Sequence, residues 1–298
     1  MSKIKSALCI IGAGIFWGII SIFVNMLKEL GFDSIQCVAI RVFFAALFLI
    51  LYLWFKDRDK LKINIKDVKY FLGTGILSIV FFNYCYFEAI EVIGGAAVPA
   101  LLLYMAPVFV MILSFFFFHE KITVQKVIAL CMTIVGLGFV TGAFTGAEQI
   151  SGKAIILGLG SGLGYALYSI FGKLVVNKYS TETITTYTFL IAAIAAVPLS
   201  GVLPKAGALA CPKGIVAVCG LSLLSTVLAF SLYTIGLKHT EAGKAAILAT
   251  IEPFVAAIVG ALFYHEQFDL PKILGMFCII CSIVILNLKI KKIETDHS

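Results

Sequence analysis

Charge is what this sequence has least of. Only 13% of its 298 residues are Asp, Glu, Lys or Arg, against roughly 25% in an ordinary soluble domain. Folded in water, a chain that is 61% hydrophobic would expose far more apolar surface than a core could hide. That excludes a soluble enzyme, a disordered chain and a small disulfide scaffold. Long polar stretches are missing too, the longest being Lys56 to Lys69, so there is no room for a soluble domain. The acids are absent where an intramembrane protease would need them. All six aspartates (Asp33, Asp57, Asp59, Asp67, Asp269, Asp296) fall in loops or tails. Neither His119 nor His265 opens a His-Glu-x-x-His, and no Gly-x-Ser-x-Gly is present. The eight cysteines lie mostly in apolar runs, and Cys278-x-x-Cys281 lacks the second pair or nearby histidine of a metal site, so they read as small hydrophobes. The sequence calls for no enzymatic activity and no cofactor.

What is present is apolar runs long enough to cross lipid. A spanning helix needs roughly 20 apolar residues for a hydrocarbon core about 30 Å thick. Ten such runs are predicted, at 7–27, 35–55, 70–90, 96–118, 124–144, 154–174, 184–204, 214–236, 244–263 and 270–288. They do not alternate as barrel strands do, so the expected fold class is all-α and polytopic. The first run is too long for a signal h-region and has no cleavage pattern before Lys28-Glu29, so it reads as a retained helix.

The net charge of +7 reports topology rather than a nucleic-acid partner. Seventeen of the 23 Lys and Arg residues fall on one side of the expected membrane and five on the other, with Arg41 left inside the second span. Basic residues accumulate on the cytoplasmic side, which puts both termini in the cytoplasm and the basic loops against anionic lipid heads.

The two halves repeat. Gly12, Gly14, Trp17, Ser21, Ile22 and Phe23 match Gly160, Gly162, Tyr165, Ser169, Ile170 and Phe171; Tyr86 matches Tyr233. Pro107 and His119-Glu120 recur as Pro253 and His265-Glu266, at a steady offset of 146 to 148. The expected units are five-helix repeats at 7–144 and 154–288. Because five is odd, the second copy is inverted, as in many secondary transporters, and a site at the repeat interface with two routes out is expected.

The order of these motifs resembles the EamA-like family of the drug/metabolite transporter superfamily over roughly residues 7–288. The resemblance rests on the Gly-x-Gly-x-x-Trp-Gly stretch from Gly12 to Gly18, Arg41-Val-Phe-Phe-Ala-Ala and Ile251-Glu252-Pro253-Phe254. Glu120 and Glu266 at the ends of spans four and nine, with Thr123-x-Gln125 after the first, complete it. It implies a bacterial inner-membrane exporter of amino acids or similar metabolites, with a cavity lined by spans one, three, four, six, eight and nine. The alternatives left beside it are a channel-like pore and a multidrug exporter. Ala106 precedes Pro107 where Glu252 precedes Pro253, so the site is asymmetric in charge.

Candidate residues follow from cost. Glu252 is the one glutamate expected at mid-span, where an ionisable group is expensive and a functional candidate by default. Pro253 should free the carbonyl of Ala249 and bend the helix. The carboxylate then either binds a substrate amine or a coupling proton or ion, or holds the bend by hydrogen bonding. Pro99, Pro107 and Pro253 are the expected helix-breaking or gating positions. Arg41 reads as an outer charge, either snorkelling to the interface or pairing an anion. Trp17 and Tyr165 fall near mid-span, away from the interfacial belts, which points to a cavity, and Ser21, Asn25 and Ser169 share their helix faces. Asn83, Tyr84, Tyr104, Phe230 and Tyr233 are further candidates for the wall of a small-molecule site.

Overall fold

The computed structural model describes residues 2–144, 151–265 and 269–288. Every regular element among them is helical, and ten helical stretches are long and apolar enough to cross a membrane. They are Lys3–Lys28, Ser34–Lys56, Ile65–Ile93, Ala97–Phe118, Val124–Thr141, Gly152–Val175, Thr181–Ser200, Pro212–Lys238, Ala242–Tyr264 and Leu270–Asn287, called spans one to ten. All ten expected runs are there. Span five stops three residues short of its expected end because Gly142 takes the left-handed conformation (φ 74°) that terminates a helix. Span seven ends likewise at Gly201 (φ 62°), and Leu203–Ala210 forms a separate 3-10 stretch.

Starts are written as clearly as stops. Asp33 and Gln36 form a reciprocal capping box at span two, with Gln36 N–H donating to Asp33 Oδ1 at 2.8 Å and Asp33 N–H to Gln36 Oε1 at 3.1 Å. Thr123, Ser151, Ser180 and Asp269 cap spans five, six, seven and ten. In the first three membrane crossings Phe55 and Leu8 face outward, while Thr74, Ser78 and Ser6 are buried. Large apolar side chains thus face the lipid, while the interior is a largely apolar core that also takes in hydroxyls.

Spans one to five and six to ten are two copies related by inversion, and each seats itself on the other. Spans two and seven pack along their length, as do five and ten. Span one runs against eight and nine, and span six against three and four. The contacts recur at the repeat offset. A side-chain carbon on Gly73 would meet the Phe171 ring at 2.5 Å, and one on Gly220 would meet the Phe23 ring at 2.1 Å. Each of those glycines opens a π-helical stretch, Gly73–Val80 in span three and Gly220–Leu228 in span eight. Wider turns of this kind open the helix locally and recur at functional sites.

Hydrogen bonds supplement close packing between the halves, since lipid gives helices no hydrophobic reason to associate. Thr74 and Thr188 hydroxyls meet at 2.7 Å between spans three and seven. Thr133 Oγ1 donates to Ser282 Oγ at 2.9 Å between spans five and ten. Alongside that pair the backbones touch, because a carbon on Gly275 would sit 2.5 Å from the carbonyl oxygen of Gly136. Replacing Gly275 with Val should therefore cost about 1–3 kcal/mol, as overpacking does. It should lower the thermal transition of the detergent-solubilised protein. Gly207→Ala, at a position with nothing within 4 Å, should leave that transition unchanged.

Candidate functional site

Spans four and nine are each two helices. Span four divides into Ala97–Leu103 and Ala106–Phe118, and span nine into Ala242–Ala249 and Ile251–Tyr264. Pro107 and Pro253 stand in the first turn of the second half in each case, where a missing N–H is tolerated and the preceding helix cannot continue through it. The breaks are held by the other repeat. A side-chain carbon on Gly14 would lie 2.8 Å from the carbonyl oxygen of Ala249, and one on Gly162 would lie 2.7 Å from that of Leu102. Glycine at these two positions lets spans one and six sit directly on the interrupted backbone. Pro99 does not break a helix; it lies in the first turn of Ala97–Leu103.

A cavity of about 400 Å³ lies between the halves, within the size range of small-molecule sites. Its deepest wall comes from Trp17, Ser169, Phe230 and Tyr233 near mid-membrane, and its rim from Lys28, Ser34 and Ile90. Those rim residues belong to the ends of spans one, two and three on the face opposite the termini. Trp17 packs edge-on against Tyr165 and Phe230, with ring centroids 6.1 and 5.0 Å apart, and tilted against Tyr233 at 5.4 Å. The Ser169 and Tyr233 hydroxyls are 2.6 Å apart, and those of Tyr168 and Thr234 2.8 Å, which fixes the aromatic floor.

Glu252 stands in the first turn of Ile251–Tyr264, the helix end at which the dipole favours a negative charge. Tyr165 donates its hydroxyl proton to Glu252 Oε2 at 3.2 Å, and the Tyr104 hydroxyl faces the same carboxylate. A second, smaller cavity next to Glu252 and Thr250 reaches both helix breaks. The carboxylate therefore sits where the two interruptions meet.

On the face that carries the termini the route is latched. Glu120, just past span four, accepts from the backbone N–H groups of Ala242 and Gly243 at 2.6 and 3.1 Å, capping the first half of span nine. Lys126 binds Glu241 at 2.6 Å and lies 4.0 Å from Glu120, and it donates to the carbonyl of Lys121. Lys173 at the end of span six donates to the carbonyls of Leu237 and Thr240. The side chains of Glu120 and Lys126 are 8% and 6% exposed, so the centre of the cluster is desolvated while Glu241 at its edge is exposed. His119 and His265 stand after spans four and nine as the two non-glycine residues with positive φ among the described residues, at 53° and 55°. Their equivalence places them at opposite faces. Glu266 lies outside the described residues.

Of the residues singled out from sequence, Trp17, Ser21, Asn25, Asn83, Tyr104, Tyr165, Ser169, Phe230, Tyr233 and Glu252 all border the large cavity. Tyr84 does not. It is 54% exposed on the lipid side, because one residue beyond Asn83 is 100° around a helix, while Phe87 four residues on returns to the cavity. Arg41 does not snorkel; it is 8% exposed and lines the cavity, bringing span two into the wall with Cys37 and Val38. Lys28, Phe82, Tyr86 and Tyr168 were missed. Tyr86 could have been found, as the repeat partner of Tyr233. The partners of Glu120, more than 120 residues away in sequence, could not.

Comparison with known proteins agrees with this architecture. A solved crystal structure superposes with a TM-score of 0.79 over 96% of this chain and 97% of its own, at 16% identity, a likeness of fold alone. An uncharacterized transporter of Archaeoglobus fulgidus is 29% identical over 280 residues, 93% of this chain and 94% of the relative. The uncharacterized inner membrane transporter YicL of Salmonella typhimurium is 25% identical over 291 residues, 95% of each. The model of the EamA-like transporter family matches twice, over residues 4–142 and 152–288. This integral membrane protein, with ten helical spans among its described residues and a cavity between two inverted halves, belongs to the EamA-like transporter family.

Proposed function

We propose that the chain is a secondary transporter that exports amino acids or related small metabolites across the bacterial inner membrane by alternating access. The observation that carries this reading is a mid-membrane cavity bordered toward one face and latched at the other, between halves whose contacts repeat under inversion. Inversion means that the closed arrangement at one face has a structural counterpart available at the other. A rocking motion can then exchange them without new parts. The charge bias of the loops puts the termini and the latch in the cytoplasm, so the conformation described here faces outward.

In this reading the aromatic floor of Trp17, Tyr165, Phe230 and Tyr233 holds the apolar part of the substrate, while Ser21, Asn25, Asn83, Tyr104 and Ser169 supply polar contacts. Glu252 binds a substrate amine or carries a coupling proton, with Tyr165, Tyr104 and Arg41 as the groups that sense its charge. Pro107 and Pro253 set the points where spans four and nine flex.

The reading is tested by counterflow in proteoliposomes. Slow, saturable flux that is accelerated by substrate on the far side is expected, and a flux of millions of molecules per second would instead make the protein a channel. Replacing Glu252 with Gln should cut that flux at least about tenfold or flatten its pH dependence, with membrane insertion intact, since the charge is lost and the shape kept. An unchanged rate and pH profile would make Glu252 a structural residue of the bend. Replacing Glu120 with Gln should remove charge-assisted hydrogen bonds of about 1.5–3 kcal/mol and open the latched face more often. A thiol reagent applied from that face should then modify Ser114→Cys, buried beneath the latch, about ten times faster or more than when Glu120 is present.

A further inference from the structure

Arg41 is unusual among the buried charges of this molecule. Glu120, Lys126 and Lys173 all have partners within the protein. Arg41 Nε is sealed from solvent and has no hydrogen-bond partner among the described residues, and Trp17 Nε1 beside the same cavity has none either. A guanidinium offers five N–H donors in a planar fork, and leaving its buried Nε–H without an acceptor is costly. It persists here on the wall of a cavity that also holds Lys28 at the rim. Among the described residues that line it, the one carboxylate is Glu252 on span nine, which Tyr165 engages and which attracts Arg41 through space without a hydrogen bond between them. The cavity wall therefore carries cationic groups on spans one and two, a carboxylate on span nine already held by Tyr165, and aromatic rings.

We infer that Arg41 is the carboxylate-recognising group of the substrate site, so that the transported compound carries an oxyanion at one end and an amine or other hydrogen-bond donor at the other. The guanidinium fork matches the two oxygens of a carboxylate, which a Lys at the same place would not reproduce. Lys28 at the rim draws the same group in. The aromatic floor takes the apolar remainder, which a charge-only site would not provide. This assignment rests on the transport reading above and adds which end of the substrate goes where.

The experiment uses the full-length protein in proteoliposomes and matched compounds: leucine, phenylalanine, threonine and lysine, and for each the amine lacking the carboxylate and the acid lacking the amine. Counterflow is measured for the native protein, Arg41→Gln and Arg41→Lys, with thermal unfolding to establish that each variant is folded. The native protein should carry at least one amino acid with saturation, its amine far less well. Arg41→Gln should raise the KM of the carboxylate-bearing compounds about 10- to 100-fold while leaving that of the amines within about twofold, and Arg41→Lys should recover only part of the loss. Equal transport of amino acid and amine by the native protein would overturn the assignment and leave the carrier reading standing. So would an Arg41→Gln variant that slows both classes alike, since Arg41 would then serve the protein itself. Absence of saturable flux for every compound would overturn both. If Arg41→Gln does not fold, the selectivity of the native protein and the partial loss in Arg41→Lys still decide the matter.

Discussion

The structure depends on the seating of each broken helix on a glycine of the opposite half. Span nine is interrupted before Pro253, and the carbonyl oxygen of Ala249 lies where a side chain on Gly14 would be. Span four is interrupted before Pro107, and the carbonyl oxygen of Leu102 lies where a side chain on Gly162 would be. An interrupted backbone in lipid is tolerated only where protein covers it or it borders a cavity. Here it does both. Because each half supplies the cover for the other, neither can adopt its broken helix alone, and the space left between the two breaks is the cavity.

The same arrangement decides where charge can reside. Glu252 is held at the N-terminus of one half-helix, next to Tyr165, and Glu120 caps the N-terminus of the other half of the same span. Span nine thus has a carboxylate at the head of both of its halves, one in the cavity and one in the latch. Lys126, Lys173 and Glu241 complete the latch, whereas Arg41 Nε on the cavity wall has no hydrogen-bond partner among the described residues. Polar groups are thus paired at the latched face, while the cavity wall keeps buried donors unpaired.

Much of this was legible in the residues, for physical reasons. Lipid thickness fixes helix length, so ten apolar runs gave ten spans. The inversion followed from an odd number of spans per repeat, and the glycines, prolines and His-Glu pairs at constant offset marked the contacts that recur. Most cavity residues were found because a polar-tipped aromatic at mid-membrane needs a cavity or a partner. What failed was whatever depended on neighbours. Tyr84 was placed on the wall although helix geometry turns it 100° from Asn83. Of the two readings of Arg41, snorkelling to the interface or pairing an anion, the first fails because the packing of span two directs it inward. The latch of Glu120 on Ala242 joins residues that only the closed fold brings together.

The central claim is that the two faces open in opposition about one cavity. Spin labels at Glu29 and Glu91 bracket the rim, and labels at Lys121 and His239 bracket the latch, all four positions being exposed. Distances within each pair, measured by pulsed electron resonance in lipid with and without saturating substrate, test it directly. The account predicts that the rim distance shortens as the latch distance lengthens in the same sample. Two distances that change in the same sense, or a latch that stays fixed while flux proceeds, would contradict it.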